Sequence, residues 1–182
     1  YQSPVMFFLQ NNHWAISTPV RVQSKTPLVE RAAGYGIPSL QIDGNDVLVS
    51  YAVSKTMLDD ARSGSGPQFI EALTYRIGAH TTSDDPSKYR DDDELAFWTA
   101  RDPITRFRAY LESQDMPGSF FDEVDQQAAD EVSEFRREVL ALEPPDPSNI
   151  FAHVYSAPHA PLEAQAEWFA EFQASFVDGE GS

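Results

Sequence analysis

Val5-Met6-Phe7-Phe8-Leu9-Gln10-Asn11-Asn12 is the stretch whose reading decides the fold of this chain. A short apolar run rich in β-formers, closed by an amide pair, predicts a buried strand that delivers polar side chains at its carboxyl end. In open α/β sheets, ligands bind at that end of the strands. Asparagine is also a common turn residue, and the pair alone favours a plain turn. The sequence downstream shifts that balance.

Working outward, residues 15–27 read as a polar connection in which Thr18-Pro19 and Thr26-Pro27 block regular structure. Pro27 suits a helix start, so residues 28–35 are expected to form a short helix closed by Gly36. Residues 39–42 predict a second strand and Asp43-Gly44-Asn45-Asp46 its turn. Asp46 can then cap a helix from Val47 to about Arg62, with Val47, Tyr51, Ser54 and Leu58 at helical spacing. Gly64-Ser65-Gly66-Pro67 ends that helix, and residues 68–75 predict a third strand. Strands alternating with helices imply an α/β fold, a mainly parallel twisted sheet flanked by helices.

After residue 90 the pattern turns helical. Helices are expected from residue 93, from Asp102-Pro103 with an Ile104, Phe107, Tyr110 and Leu111 stripe, over 121–142, and over 162–176. Val124, Ala128, Val132, Phe135, Val139 and Leu142 mark the expected buried side of the longest one. The organisation read here is residues 1–90 as part of an α/β domain, 91–176 as a helical carboxyl-terminal region, and 177–182 as a frayed tail.

At 182 residues, 41% hydrophobic and 12% aromatic, the chain can bury a sizeable core. A net charge of −16 argues against nucleic acid or an anionic membrane as the main partner, because both repel such a surface. The absence of cysteine excludes thiol catalysis and a disulfide framework and fits a reducing compartment. Tyr1-Gln2-Ser3-Pro4 leads almost at once into a core strand, so the chain is expected to be a fragment of something longer.

The second informative stretch is Glu71-Ala72-Leu73-Thr74-Tyr75-Arg76-Ile77-Gly78-Ala79-His80-Thr81-Thr82-Ser83-Asp84-Asp85-Pro86-Ser87-Lys88-Tyr89-Arg90, a strand running into a loop of small, hydroxylated and acidic residues around one histidine. Together with Asn11-Asn12-His13-Trp14-Ala15-Ile16-Ser17 it closely resembles the α subunit of the thiamine-diphosphate-dependent 2-oxo acid dehydrogenase E1 component. The amide string resembles the second half of that family's Gly-Asp-Gly…Asn-Asn cofactor motif, and the histidine string its active-site loop. The resemblance runs to about Phe172.

The resemblance implies an incomplete thiamine-diphosphate-binding fold in which Asn12, by its side-chain oxygen, and Trp14, by its backbone carbonyl, are ligands of Mg²⁺ beside the cofactor diphosphate. Mg²⁺ prefers hard oxygen ligands, which suits both groups. The expected aspartate ligand would lie upstream, and Asn11 is assigned to the turn. It implies His80 as a cofactor-binding and catalytic residue, since an imidazole can bond a diphosphate or an oxyanion and exchange a proton near neutral pH. His13 is set aside, because the family tolerates many residues there. Arg76 or Arg90 is expected to pair with Asp84 and Asp85 and order the loop around the cofactor. Few apolar anchors lie between residues 77 and 90.

The implied reaction is oxidative decarboxylation of a 2-oxo acid, branched-chain first and pyruvate next, with acyl transfer to a lipoyl group. The implied partners are an E1 β subunit in an α₂β₂ heterotetramer and a lipoyl-bearing E2. Thr81 and Asp91 occupy the phosphorylated positions of mitochondrial relatives, implying a bacterial, cytoplasmic type of complex. The competing reading is a non-catalytic acidic α/β interaction module without a working cofactor site.

Overall fold

The apolar run becomes β1 (Met6–Asn11) in the computed structural model of the chain, which describes residues 1–177. A hairpin of β2 (Trp14–Ala15) and β3 (Thr18–Pro19) follows, then the single-turn helices α1 (Val20–Gln23) and α2 (Glu30–Ala33). Next come β4 (Ser39–Asp43), α3 (Val47–Asp60), a π-helical turn at Ala61–Ser65 and β5 (Gln68–Leu73). The sheet has the order β1-β5-β4, and both pairings are parallel. This is the expected α/β architecture.

The core lies on one face of that sheet. Ile42, Ile70 and Ala72 are buried, and Met6, Val53 and Met57 pack against them. Fully burying a side chain such as Ile70 contributes about 1.5–3 kcal/mol. The helix α3 therefore faces the sheet with Val53 and Met57, one turn apart, while Val47 and Tyr51 of the expected spacing stay exposed. The period is right and the phase differs. Asp46 caps α3 as expected, accepting from the Val49 amide at 3.0 Å.

Two expectations need correction. The strand β1 is an edge strand, with Phe7 and Phe8 each about half exposed, and the buried central strand is β5. A strand is sequestered when neighbours flank both its edges, which an apolar run cannot signal. Residues 15–27 also hold more regular structure than their prolines imply. Ile16-Ser17 forms the two-residue loop of the β2–β3 hairpin, with Ile16 at φ 55°. Pro19 sits opposite Trp14. In a two-residue hairpin that pair is the one that does not exchange hydrogen bonds, so the missing proline N–H costs nothing.

α4 (Asp92–Thr99) and α5 (Pro103–Ser113) belong to the same compact unit as the sheet, which extends to Phe120. Asp91 and Asp102 cap them through side-chain oxygens. From α5, Arg106 reaches the β4 turn at Asp43 (2.9 Å) and Asp46 (3.3 Å).

The second unit begins at Phe121, within the first turn of α6 (Gly118–Leu140), and continues through α7 (Asn149–Ala152) and α8 (Ala160–Val177). Phe151 and Phe169 join α7 to α8 at 5.7 Å. The expected burial of the α6 stripe is not observed: Val124, Val132, Phe135, Val139 and Leu142 are exposed. A 3.6-residue apolar period makes a face available for packing without supplying its cover. The expected frayed tail falls on residues 178–182, outside the described residues, apart from Val177, which closes α8.

Candidate functional site

The two sequence motifs meet at one end of the sheet. Asn11, the last residue of β1, is the parallel partner of Leu73, the last residue of β5. Beyond the strands, Thr74 N–H donates to the Asn11 carbonyl at 2.9 Å and Arg76 N–H to the Asn12 carbonyl at 3.3 Å. The chain then turns sharply. Asn11 Oδ1 accepts from the His13 amide and Asn12 Oδ1 from the Trp14 amide, each at 3.0 Å. His13 sits at φ 68°, and its carbonyl accepts from Val20 N–H at 2.8 Å.

On the face of the sheet away from the Ile70 core lies Glu71, 1% exposed. It is the register partner of both Leu9 and Gln41, and Asn11, two residues beyond Leu9, shares their face. Three donors converge on its carboxylate: Asn11 Nδ2 at 2.7 Å, Val29 N at 2.8 Å and Gln41 Nε2 at 3.0 Å. A buried charge left without partners would cost several kcal/mol, which these bonds offset. One acid inside Phe69-Ile70-Glu71-Ala72-Leu73 is the sequence signal that points to it.

The turn also leaves oxygens unspent. Asn12 Oδ1 takes one hydrogen bond and keeps a second lone pair. The Trp14 amide is used by Asn12, and in the non-hydrogen-bonded pair with Pro19 the Trp14 carbonyl accepts nothing across the hairpin. Both are neutral hard oxygens, the donor type that Mg²⁺ takes. Among the described residues no three His, Cys, Asp or Glu side chains gather as a metal-ligating group. These two oxygens fit such an ion as a partial set.

His80 lies exposed in the loop after β5, its amide donating to Asp84 Oδ2 at 2.9 Å. The same oxygen accepts the Tyr89 hydroxyl at 2.6 Å, and the Tyr89 oxygen accepts from Arg76 Nη2 at 3.1 Å. Arg76 Nη2 also donates to the Ile16 carbonyl at 2.6 Å. Tyr89 thus stands between the arginine and the aspartate where a direct ion pair was expected. Arg90 donates instead to the Arg76 carbonyl at 2.8 Å and sits over the Tyr75 ring at 5.9 Å. Asp85 accepts from Ser87 Oγ at 2.6 Å and meets Lys88 at 3.8 Å. The His80 amide, then the Tyr89 hydroxyl, hold the Asp84 carboxyl below its ordinary range, and Asp84 in turn pushes the Tyr89 phenol up. The Ser87 hydroxyl does for Asp85 what His80 does for Asp84.

An aromatic cluster joins the two motifs. The rings of Trp14 and Tyr89 lie 5.3 Å apart, His13 and Trp98 5.0 Å, and Tyr75 stacks on Trp98 at 5.5 Å. Burial pushes the His13 imidazole below its ordinary value, with Glu94 and Glu71 pulling the other way. Burial likewise raises the Tyr75 phenol. His13 Nε2, Trp14 Nε1, the Tyr75 hydroxyl and Arg76 Nε are buried here without hydrogen-bond partners among the described residues. Tyr75 lies close enough to Trp14 and Glu94 to feel both, but no pair reaches bonding geometry. This end of the sheet therefore carries unspent donors beside unspent oxygens, as a site for a polar, anionic ligand requires. Sequence reasoning placed Asn12, Trp14, His80, Arg76, Asp84, Asp85 and Arg90 at this end. It missed Glu71, Tyr89 and Trp98, and passed over His13.

The model of a family described as dehydrogenase E1 component matches residues 1–147. The chain is 43% identical over 169 residues to a 3-methyl-2-oxobutanoate dehydrogenase subunit alpha of Mycobacterium tuberculosis, covering 92% of this chain and 46% of that protein. It is 47% identical over 134 residues to a pyruvate dehydrogenase E1 component subunit alpha of Acholeplasma laidlawii, covering 72% and 38%. A mitochondrial 2-oxoisovalerate dehydrogenase subunit alpha of Arabidopsis thaliana is 38% identical over 170 residues, covering 90% and 35%. The chain spans less than half the length of each of these relatives.

Proposed function

The chain belongs to the dehydrogenase E1 component family, and from that premise we propose that it forms the carboxyl-terminal part of the α subunit of a 2-oxo acid dehydrogenase complex. The observation that carries this reading is the meeting of two motifs, about sixty residues apart, on adjacent parallel strands: Asn12 and Trp14 after β1, His80 after β5. Asn12 Oδ1 and the Trp14 carbonyl would hold Mg²⁺, and the ion would hold the diphosphate of thiamine diphosphate. When bound, that cofactor supplies the electron sink for decarboxylation of a 2-oxo acid.

The chain's own residues have narrower tasks. The Asn12 and Trp14 oxygens bind. His80, exposed on the loop, donates a hydrogen bond or a proton at its ring nitrogens to an anionic oxygen. Arg76, Tyr89 and Asp84 orient the backbone that carries it. We assign a branched-chain 2-oxo acid as substrate, with pyruvate the alternative. The match to the 3-methyl-2-oxobutanoate enzyme extends over more of the chain than the match to the pyruvate enzyme. A β subunit in an α₂β₂ assembly and a lipoyl-bearing E2 complete the proposal, in keeping with relatives named as an alpha subunit and as an E1 component.

Calorimetric titration of thiamine diphosphate, with and without Mg²⁺, into the complete α chain paired with its β subunit tests this. Asn12→Ala should weaken Mg²⁺-dependent binding by roughly tenfold or more. His80→Ala should lose most turnover of branched 2-oxo acids while leaving the fold intact. The isolated 182 residues should bind far more weakly than the assembled pair. No cofactor binding by the complete pair would return the chain to a non-catalytic α/β interaction module.

A further inference from the structure

Glu71 is buried on the central strand, and nothing in the proposed chemistry uses it. Its three donors divide unevenly: Val29 N and Gln41 Nε2 both reach Oε2, while Asn11 Nδ2 alone reaches Oε1. The Asn11 amide is engaged at both ends, giving Nδ2 to Glu71 and taking the His13 N–H on Oδ1. A carboxylate has no hydrogen to give, so only this orientation of the Asn11 amide satisfies both neighbours. With Asn11 held so, the His13 amide is drawn inward, His13 adopts φ 68°, and the next amide, Trp14, comes to Asn12 Oδ1.

We propose that Glu71 is a positioning residue that, through Asn11, sets the 11–14 turn and thereby aims the Asn12 side-chain oxygen and the Trp14 carbonyl. The consequence for a metal rests on the reading of those two oxygens as its ligands. The consequence for the turn does not.

The unequal division makes Glu71→Gln informative. The new amide keeps its oxygen toward the two donors on the Oε2 side and turns its NH₂ toward Asn11 Nδ2, so donor faces donor. Asn11 can escape by rotating its own amide, but its Nδ2 then faces the His13 N–H. Either way the turn loses a bond. Gln41→Ala is the control, since it removes a donor from the Oε2 side and leaves Asn11 untouched.

The experiment uses the complete α chain with its β partner and reads two quantities. Amide hydrogen exchange without cofactor reports the turn, and Mg²⁺ titration with thiamine diphosphate reports the ligand oxygens. In Glu71→Gln, exchange at His13 and Trp14 should accelerate by about tenfold or more while α3 keeps its wild-type rates, and Mg²⁺ affinity should fall by about tenfold. Gln41→Ala should leave both at wild-type values. Asn11→Ala cuts the same bridge from its part-buried end and should reproduce the exchange change even if Glu71→Gln fails to fold. Unchanged Trp14 exchange in Asn11→Ala, or acceleration spread evenly over β5 and α3 in Glu71→Gln, would overturn the inference. Wild-type protein that binds no Mg²⁺ or cofactor would sink the proposed function, while the exchange measurement still decides the role of Glu71 in the turn.

Discussion

The turn at residues 11–14 and the loop at 77–90 lie at the same end of the sheet and are built from opposite materials. The turn is anchored inward, through Asn11 to a carboxylate at 1% exposure. The loop is anchored outward, through Tyr89 and Asp84, on side chains that are part-buried and still reach water. A buried hydrogen-bonded network holds one geometry, because leaving any member unpaired is costly. A network that water reaches can trade its bonds for water. The difference teaches a division of labour: the Asn12 and Trp14 oxygens proposed to hold a metal are preorganised, and the histidine-bearing loop can rearrange around a ligand.

The largest effect should come from Glu71→Ala, which removes a buried carboxylate from three part-buried hydrogen bonds at once. Urea unfolding should show a loss of roughly 3–5 kcal/mol. A loss below about 1 kcal/mol would mean that the turn is not anchored inward at all.

Gly44→Ala probes the same sheet end without touching the network. A Cβ there would lie 2.6 Å from Thr74 Cγ2 and 2.9 Å from the Leu73 carbonyl oxygen. Backbone cannot step aside cheaply, so a loss of about 1–3 kcal/mol is expected. Neutral behaviour would show that the carboxyl ends of β4 and β5 are looser than the turn beside them.

Tyr89→Phe should act on the loop alone. It removes the hydroxyl between Arg76 and Asp84 and keeps the ring against Trp14. Global stability should change by less than about 1 kcal/mol, because water can replace part-buried hydrogen bonds of this kind. Limited proteolysis within residues 77–90 should nevertheless quicken. Equal cleavage of both proteins would blur the contrast between loop and turn.

The smallest effect is a separation by pH. His13 has its value pushed below the ordinary 6.5, so the folded form resists protonation. Its contribution is complete above 6.5 and is lost as pH falls from there toward the lowered value. Asp84 is held below the ordinary 3.8, so its contribution is present above 3.8 and is lost only as pH falls through its folded value. Acidification from neutrality should perturb the His13 turn well before the His80 loop. An NMR titration that found His13 at or above 6.5 would remove this separation.

The sequence by itself determined the alternation of strand and helix, the caps at Asp46 and Asp102, and the family-bearing strings around Asn12 and His80. These rest on residues close together in the chain, where periodicity, capping and turn chemistry act locally. Only the tertiary structure decided that β5 is central and β1 an edge, since pairing order depends on which strands meet across sixty residues. It alone put Glu71 under Asn11, Tyr89 between Arg76 and Asp84, and His13 against Trp98. Glu71 and Asn11, or His13 and Trp98, become neighbours only after distant segments have packed, and the Tyr89 bonds depend on how the loop folds back, so local pattern shows a buried acid or a loop tyrosine without showing what it holds.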